Sequence, residues 1–238
     1  MRLTRLVPIV LLTLTSLSLT TNAERVKFDL PAGPGRDLVY GHCQTCHDLQ
    51  SVVDSAGIRK GAWDAVLDNM KGFGLRITED QRARILDYLG SYMGPNPPPT
   101  DGSSETVTAA EVSGKDVFNN TCIACHMEDG KGKPGEFPPL AGNTDLFLSP
   151  EFPALVVLNG IEGPLSVEGH DFNNVMPSFD FLSDSEIAAV LTYVRSNWGN
   201  DTLPGASTDH LTSDDIKAIR SKPMTATAVH ESRAKLLK

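Results

Sequence analysis

Apolar positions recur along this chain at helical spacing, in short runs separated by Gly- and Pro-containing loops, and strand-like alternation is nearly absent. The clearest run is Ile187, Val190, Leu191, Val194 and Trp198, spaced i, i+3, i+4, i+7 and i+11, which marks one buried helix face. Ser183 with Glu186 forms a capping box ahead of it, and Gly199 stands where the helix should stop. Thr78 with Gln81 opens a second helix running to about Tyr92, with Ile85, Leu89 and Tyr92 facing inward. Further helices are predicted over 36–47, around 62–71, from a Thr108–Glu111 cap through Val117 and Phe118 to Cys122, and from Ser149-Pro150 to Gly160. The fold class is all-α.

Residues 94–104 read Gly-Pro-Asn-Pro-Pro-Pro-Thr-Asp-Gly-Ser-Ser and interrupt this pattern. Such a Pro-rich, then Gly/Ser-rich composition favours extended, solvated backbone and builds no core. Each side of it repeats one plan: a helix, a C-x-x-C-H pentapeptide, a Gly/Pro-containing loop, a Met and a closing amphipathic helix. The boundaries fall at 24–94 and 108–200, with a linker over 95–107 and a tail over 201–238. In the tail, 212–216 reads as the start of a short helix and the last residues are basic. That segment is expected to dock on a partner or on the protein's own acidic surface, or to remain disordered.

The first residues set the compartment. Arg2 and Arg5 precede an apolar stretch over 6–19, and Thr21-Asn22-Ala23 has the small-residue pattern of a cleavage site. Residues 1–23 therefore read as a secretory signal peptide, and the mature chain is expected to be periplasmic with no membrane span. The chain carries 21 basic and 30 acidic residues, and loss of Arg2 and Arg5 makes it more acidic still. Nucleic acid is not an expected partner; a protein with a basic docking face is.

All 4 cysteines fall in two pentapeptides, Cys43-x-x-Cys46-His47 and Cys122-x-x-Cys125-His126, leaving none for a structural disulfide. Two thiols three residues apart on a helical turn can each form a thioether to one haem vinyl group, and the next residue, His, then lies under the iron. A dithiol redox motif needs no following His, and a Cys/His zinc site normally separates its His from the second Cys. Two haem c groups with their iron are the expected cofactors.

Iron held by His on one face needs a sixth ligand or leaves an open site, and Met gives a six-coordinate electron carrier. For the second motif, Met127 abuts His126 and cannot reach the opposite face, and Met224 lies beyond the closing helix. Met176, in a loop stiffened by Pro177, is the expected ligand. For the first motif, Met70 at the end of the Trp63 helix and Met93 at the end of the closing helix are both candidates, with Met70 favoured.

The second half resembles class I, mitochondrial-type cytochrome c domains. The matching residues are Gly114-x-x-x-Phe118, the second pentapeptide, Gly130-x-Gly132, Pro138-Pro139-Leu140-Ala141-Gly142, Met176-Pro177 and Leu182-Ser183-Asp184-x-Glu186-Ile187. The resemblance implies that a proline carbonyl, here Pro139, accepts a hydrogen bond from the proximal His, and that Gly114 and Phe118 pack against Tyr193 and Val194. The first half is similar to a shorter cytochrome c type found in haem subunits of periplasmic dehydrogenases, including sulfite dehydrogenase. Leu30-Pro31-x-Gly33-x-Gly35-Arg36, the first pentapeptide, Trp63, Met70 and Tyr88-Leu89 carry that likeness, which implies Met70 as the axial ligand. No proline partner for His47 is visible.

The resemblance implies two tandem cytochrome c domains joined by the linker. It also implies electron transfer, with no catalysis by the chain itself, from a periplasmic dehydrogenase of molybdenum or quinone-cofactor type to a cytochrome or terminal oxidase. The rival class is a haem enzyme, such as a di-haem peroxidase or a thiosulfate-oxidising cytochrome, which needs an accessible iron. Of the other polar residues, His42 is expected on the exposed helix face and His170 in solvent. Arg59 and Arg76 are expected as solvated charges or as partners for haem propionates.

Overall fold

The computed structural model describes residues 28–99, 112–207 and 209–238. The predicted signal peptide, most of the predicted linker and the Thr108–Glu111 cap lie outside the described residues.

Four helices surround a first core: α1 (Arg36–Cys43), α2 (Gln50–Asp54), α3 (Lys60–Gly72) and α4 (Glu79–Tyr92). The predicted capping box opens α4, with the Thr78 hydroxyl accepting from the Gln81 amide and the Gln81 side chain accepting from the Thr78 amide. Leu38 and Val39 of α1 meet Ile85, Tyr88 and Leu89 of α4, with Trp63 and Leu67 of α3 closing the cluster. The segment before α1 is tied down by phenols: Tyr88 donates to the Pro31 carbonyl at 2.6 Å, and the Leu30 amide donates to the Tyr40 oxygen at 3.0 Å.

A second core begins at α5 (Gly114–Val117), which runs through a π-helical turn (Phe118–Cys122) into α6 (Ile123–His126). This helix starts later than its sequence signals suggest. Residues 112–113 are not helical, and the Ser113 hydroxyl caps it by accepting from the Asp116 amide. Next comes α7 (Phe152–Asn159), which starts two residues after Ser149-Pro150, although the Ser149 hydroxyl still accepts from the Phe152 amide. The closing helix α8 (Asp184–Ser196) begins at the predicted Ser183–Glu186 box and buries Ile187, Val190, Leu191 and Val194. Gly114 lies so close to α8 that a Cβ there would be 2.1 Å from the Ala189 carbonyl oxygen. The Phe118 ring packs against Tyr193 and Trp198, at 5.5 and 5.3 Å between centroids.

Two features extend the predicted plan, a small sheet and a structured C-terminal segment. A short antiparallel hairpin, β1 (Leu165–Val167) and β2 (His170–Phe172), pairs Leu165 with Phe172 and buries both beside Phe152 and Ile161. Residues 213–236, placed in the predicted tail, form α9 (Ser213–Arg220) and α10 (Ala226–Leu236), each with one fully buried residue, Ile216 and Val229. Arg220 fixes α9 to the start of α8 by donating to Asp184 and to the carbonyls of Asp180 and Leu182. Arg233 fixes α10 by donating to Asp145 and the Ser166 carbonyl. Among the described residues, no helix is long and apolar enough to cross a membrane.

The two cores touch directly. Helix α1 packs on the π-helical turn, the Tyr40 and Phe181 rings stack at 4.1 Å, and the Gln81 side-chain amide donates to the Asn119 carbonyl at 3.0 Å.

Candidate functional site

The second pentapeptide lies at the end of α6, and local backbone chemistry aims its imidazole. His126 is buried, and its Nδ1 donates to the Pro138 carbonyl at 3.0 Å. The expected acceptor was Pro139, but that carbonyl takes the Asn143 side-chain amide at 2.9 Å. Pro138 is positioned by Gly132, which has φ +62 and whose Cβ would lie 2.3 Å from the Phe137 carbonyl and 2.6 Å from that of Pro138. Gly130 accepts from the amides of Leu140 and Ala141, and Asn200 ties Leu140 to Val194, so the whole loop is pinned. Burial lowers the His126 pKa, opposed by the Pro138 bond. The ring is thus a neutral imidazole whose Nε2 lone pair is left for a metal, the state an iron ligand needs.

Cys122 and Cys125, which precede His126 in the motif, are unbridged thiols. Burial raises both, Cys122 to about 11, so they are neutral thiols rather than thiolates. Met176 packs in the same cluster as Cys122, Leu140 and Phe179. Its backbone is clamped to the end of α7 by reciprocal 3.1 Å bonds with Ile161, and Gly160, with φ +73, lets the strand approach. The Phe179 amide bonds Val157 and the Ser178 hydroxyl bonds Leu158, which leaves this loop few ways to move.

The first pentapeptide is built differently. Cys43 ends α1, where burial pushes its thiol up to about 12, while Cys46 and His47 are exposed. The His47 Nδ1 donates to the carbonyl of its neighbour Asp48 at 2.6 Å, a backbone acceptor from the turn rather than a proline loop. Both Cys residues and His47 line a cavity of about 2240 Å³, whose walls include Trp63, Leu67, Met70 and Leu89. That exceeds the roughly 300–1,000 Å³ of ordinary small-molecule pockets and leaves room for a macrocycle.

The two methionine candidates part company here. Met70, in the last turn of α3, lines the cavity. Met93 is 5% exposed and packs in the first core, with its carbonyl accepting from the Gly57 amide.

The donor set of each motif, two free thiols and an imidazole held at Nδ1, is of the kind a haem c would need, and the cavity at the first motif adds to the fit there. The cavity leaves two buried polar atoms without a protein partner, Trp63 Nε1 and His42 Nε2, and Arg76 lines the same wall. Among the described residues, no group of three or more His, Cys, Asp or Glu is arranged to hold a metal ion directly. When bound, a haem would supply one-electron redox chemistry at its iron. The chain's own part is to hold the imidazoles, exclude water and set the axial donors.

His42 was expected on an exposed face. It is 4% exposed on the wall of the cavity, and burial pulls its imidazole down to about 4. His170 is exposed as expected, and His230 Nε2 donates to the Pro164 carbonyl at 2.7 Å. Arg195 is a buried cation that no sequence signal marked. Its guanidinium donates to the carbonyls of Leu146, Ser149 and Pro150 and lies over the Phe147 ring.

Residues 111–198 match the family model for cytochrome c. A cytochrome c-552 of Thermus thermophilus is 37% identical over 131 residues, covering 53% of this chain and 87% of that protein. A second Thermus thermophilus cytochrome c-552 is 40% identical over 119 residues, 48% of this chain and 90% of its own length. The cytochrome c subunit of a quinone alcohol dehydrogenase from Gluconacetobacter polyoxogenes is 31% identical over 181 residues, 71% of this chain but 36% of that subunit. A pinned proximal imidazole, paired free thiols and this similarity lead to one conclusion: the chain belongs to the cytochrome c family.

Proposed function

We propose that this chain carries electrons through two covalently attached c-type haems, at Cys43/Cys46/His47 and Cys122/Cys125/His126, with Met70 and Met176 as the opposite axial ligands. In this reading it is an exported, periplasmic electron carrier of two tandem cytochrome c domains and not itself an enzyme. The observation that carries the reading is the pairing at each motif of two unbridged thiols with an imidazole whose Nδ1 is held by a backbone carbonyl. That hydrogen bond selects the tautomer whose Nε2 can bind iron.

Similarity to a quinone alcohol dehydrogenase's cytochrome c subunit supports a dehydrogenase as donor. A cytochrome or terminal oxidase is the acceptor. The test is intact mass of the exported protein after acid–acetone extraction. Residues 24–238 plus two haems is the expected mass; no retained haem would sink the reading.

A further inference from the structure

Gly41 lies inside α1, where glycine costs about 1 kcal/mol relative to alanine. A Cβ at this position would be 2.4 Å from the Asn120 carbonyl oxygen and 2.7 Å from the Thr121 Cα. Both are backbone atoms of the π-helical turn that leads into the second motif, so neither can swing aside. Gly61 in α3 is the contrast: a Cβ there would meet nothing within 4 Å. The glycine at 41 therefore permits close approach between the two motif-bearing helices.

The attachment segments themselves meet beside this crossing. Thr45, between the two cysteines of the first motif, has its hydroxyl 4.0 Å from the Cys125 sulfur of the second. The cavity holding Cys43, Cys46 and His47 is also lined by Ile123 and Ala124, the residues between the cysteines of the second motif. The Tyr40–Phe181 stack and the Gln81–Asn119 bond brace the contact on either side. A π-helical turn at the contact is a further irregularity of the kind found at functional sites.

We propose that the Gly41 crossing is an intramolecular electron bridge, holding the two attachment motifs together so that electrons pass directly between their haems. This rests on the two-haem reading above. With haems held by Cys43, Cys46 and His47 and by Cys122, Cys125 and His126, the exchange would be a one-electron transfer balanced between the two, with no bond formed or broken and no proton moved. Gly41 is a positioning residue: it sets the separation and touches neither iron.

The experiment uses the two-haem protein, partly reduced by a flash of photoreduced flavin, with the redistribution between haems followed by absorbance at several protein concentrations. The expected result is a first-order phase whose rate does not depend on protein concentration. Gly41→Ala slows that phase several-fold, whereas Gly61→Ala leaves it unchanged, with both haems retained by mass in each. A second readout needs no redox activity. With a protease site inserted at 103–104, the cleaved halves co-elute in the parent and in Gly61→Ala, and separate in Gly41→Ala. Where Gly41→Ala fails to accumulate, Phe181→Leu removes one ring of the bracing stack and is expected to slow the phase as well. Two haems with exchange that scales with protein concentration, or parent halves that separate on cleavage, would overturn the bridge and leave the two-haem reading intact. A single covalent haem would overturn both.

Discussion

The His126 imidazole donates from Nδ1 to the carbonyl oxygen of Pro138, 3.0 Å away, while the carbonyl next in sequence is occupied by Asn143. One proline of an adjacent pair orients the ring and the other fixes the loop. Gly132 makes the arrangement possible, because its positive φ and missing Cβ let the backbone fold against Pro138.

Gly132→Ala should therefore loosen the second site without altering any ligand. The left-handed conformation alone costs a non-glycine residue roughly 1–2 kcal/mol, and the methyl displaces the Pro138 carbonyl. Chemical denaturation should show at least that loss, together with faster cyanide binding; an unchanged protein would mean the carbonyl does not control the ring.

Met70 and Met93 should separate cleanly. Met93→Ala removes a buried side chain and should cost about 2–5 kcal/mol of stability while leaving the haem spectrum as it was. Met70→Ala should barely change stability but open the first haem to cyanide or azide. The reverse pattern would make Met93 the ligand. Met176→Ala should open the second haem in the same way.

Acid should destabilise the folded chain through His42. Its folded pKa is about 4 against an ordinary 6.5, so the unfolded chain takes up a proton that the folded chain refuses. This contribution is fully present above pH 6.5 and is lost as pH falls from there towards 4, amounting to about 3 kcal/mol at most. His42→Leu should flatten the pH dependence of stability across that window. Parallel curves for the two proteins would refute this role for His42.

The C-terminal helices should behave as part of the second core. Ile216→Ala deletes a fully buried side chain between α9 and α8, with an expected cost of about 2–5 kcal/mol in thermal or denaturant unfolding. A cost near zero would show that α9 detaches without consequence.

What the sequence made legible is what depends on neighbours in the chain. The boxes at Thr78 and Ser183 and the buried face of α8 from Ile187 to Val194 are local signals and are present in the structure, although α8 ends at Ser196, short of the expected Trp198. The pentapeptides identify themselves by spacing alone. Contacts between distant residues were not legible. Ile216 on α9 and Val229 on α10 are the one buried apolar residue of each helix, too sparse for a periodicity to register. The burial of His42 is not legible because nothing in the sequence of α1 marks that face as covered. Pro138 and Pro139 cannot be told apart until Asn143 is seen to claim one carbonyl. Gly41 carried a faint mark, a glycine in mid-helix, whose reason emerges only with Asn120 beside it.

One contrast gives the molecule a direction. The His126 ring is enclosed, whereas the His47 ring is open to water. An oxidised iron carries more charge than a reduced one, and charge is held at greater cost away from water. On the two-haem reading, the enclosed site would favour the reduced form more strongly than the open one, and passage from the first motif to the second would run downhill. Electrons arriving at the wet end would then settle towards the dry one, and spectroelectrochemical titration should find the higher midpoint at His126.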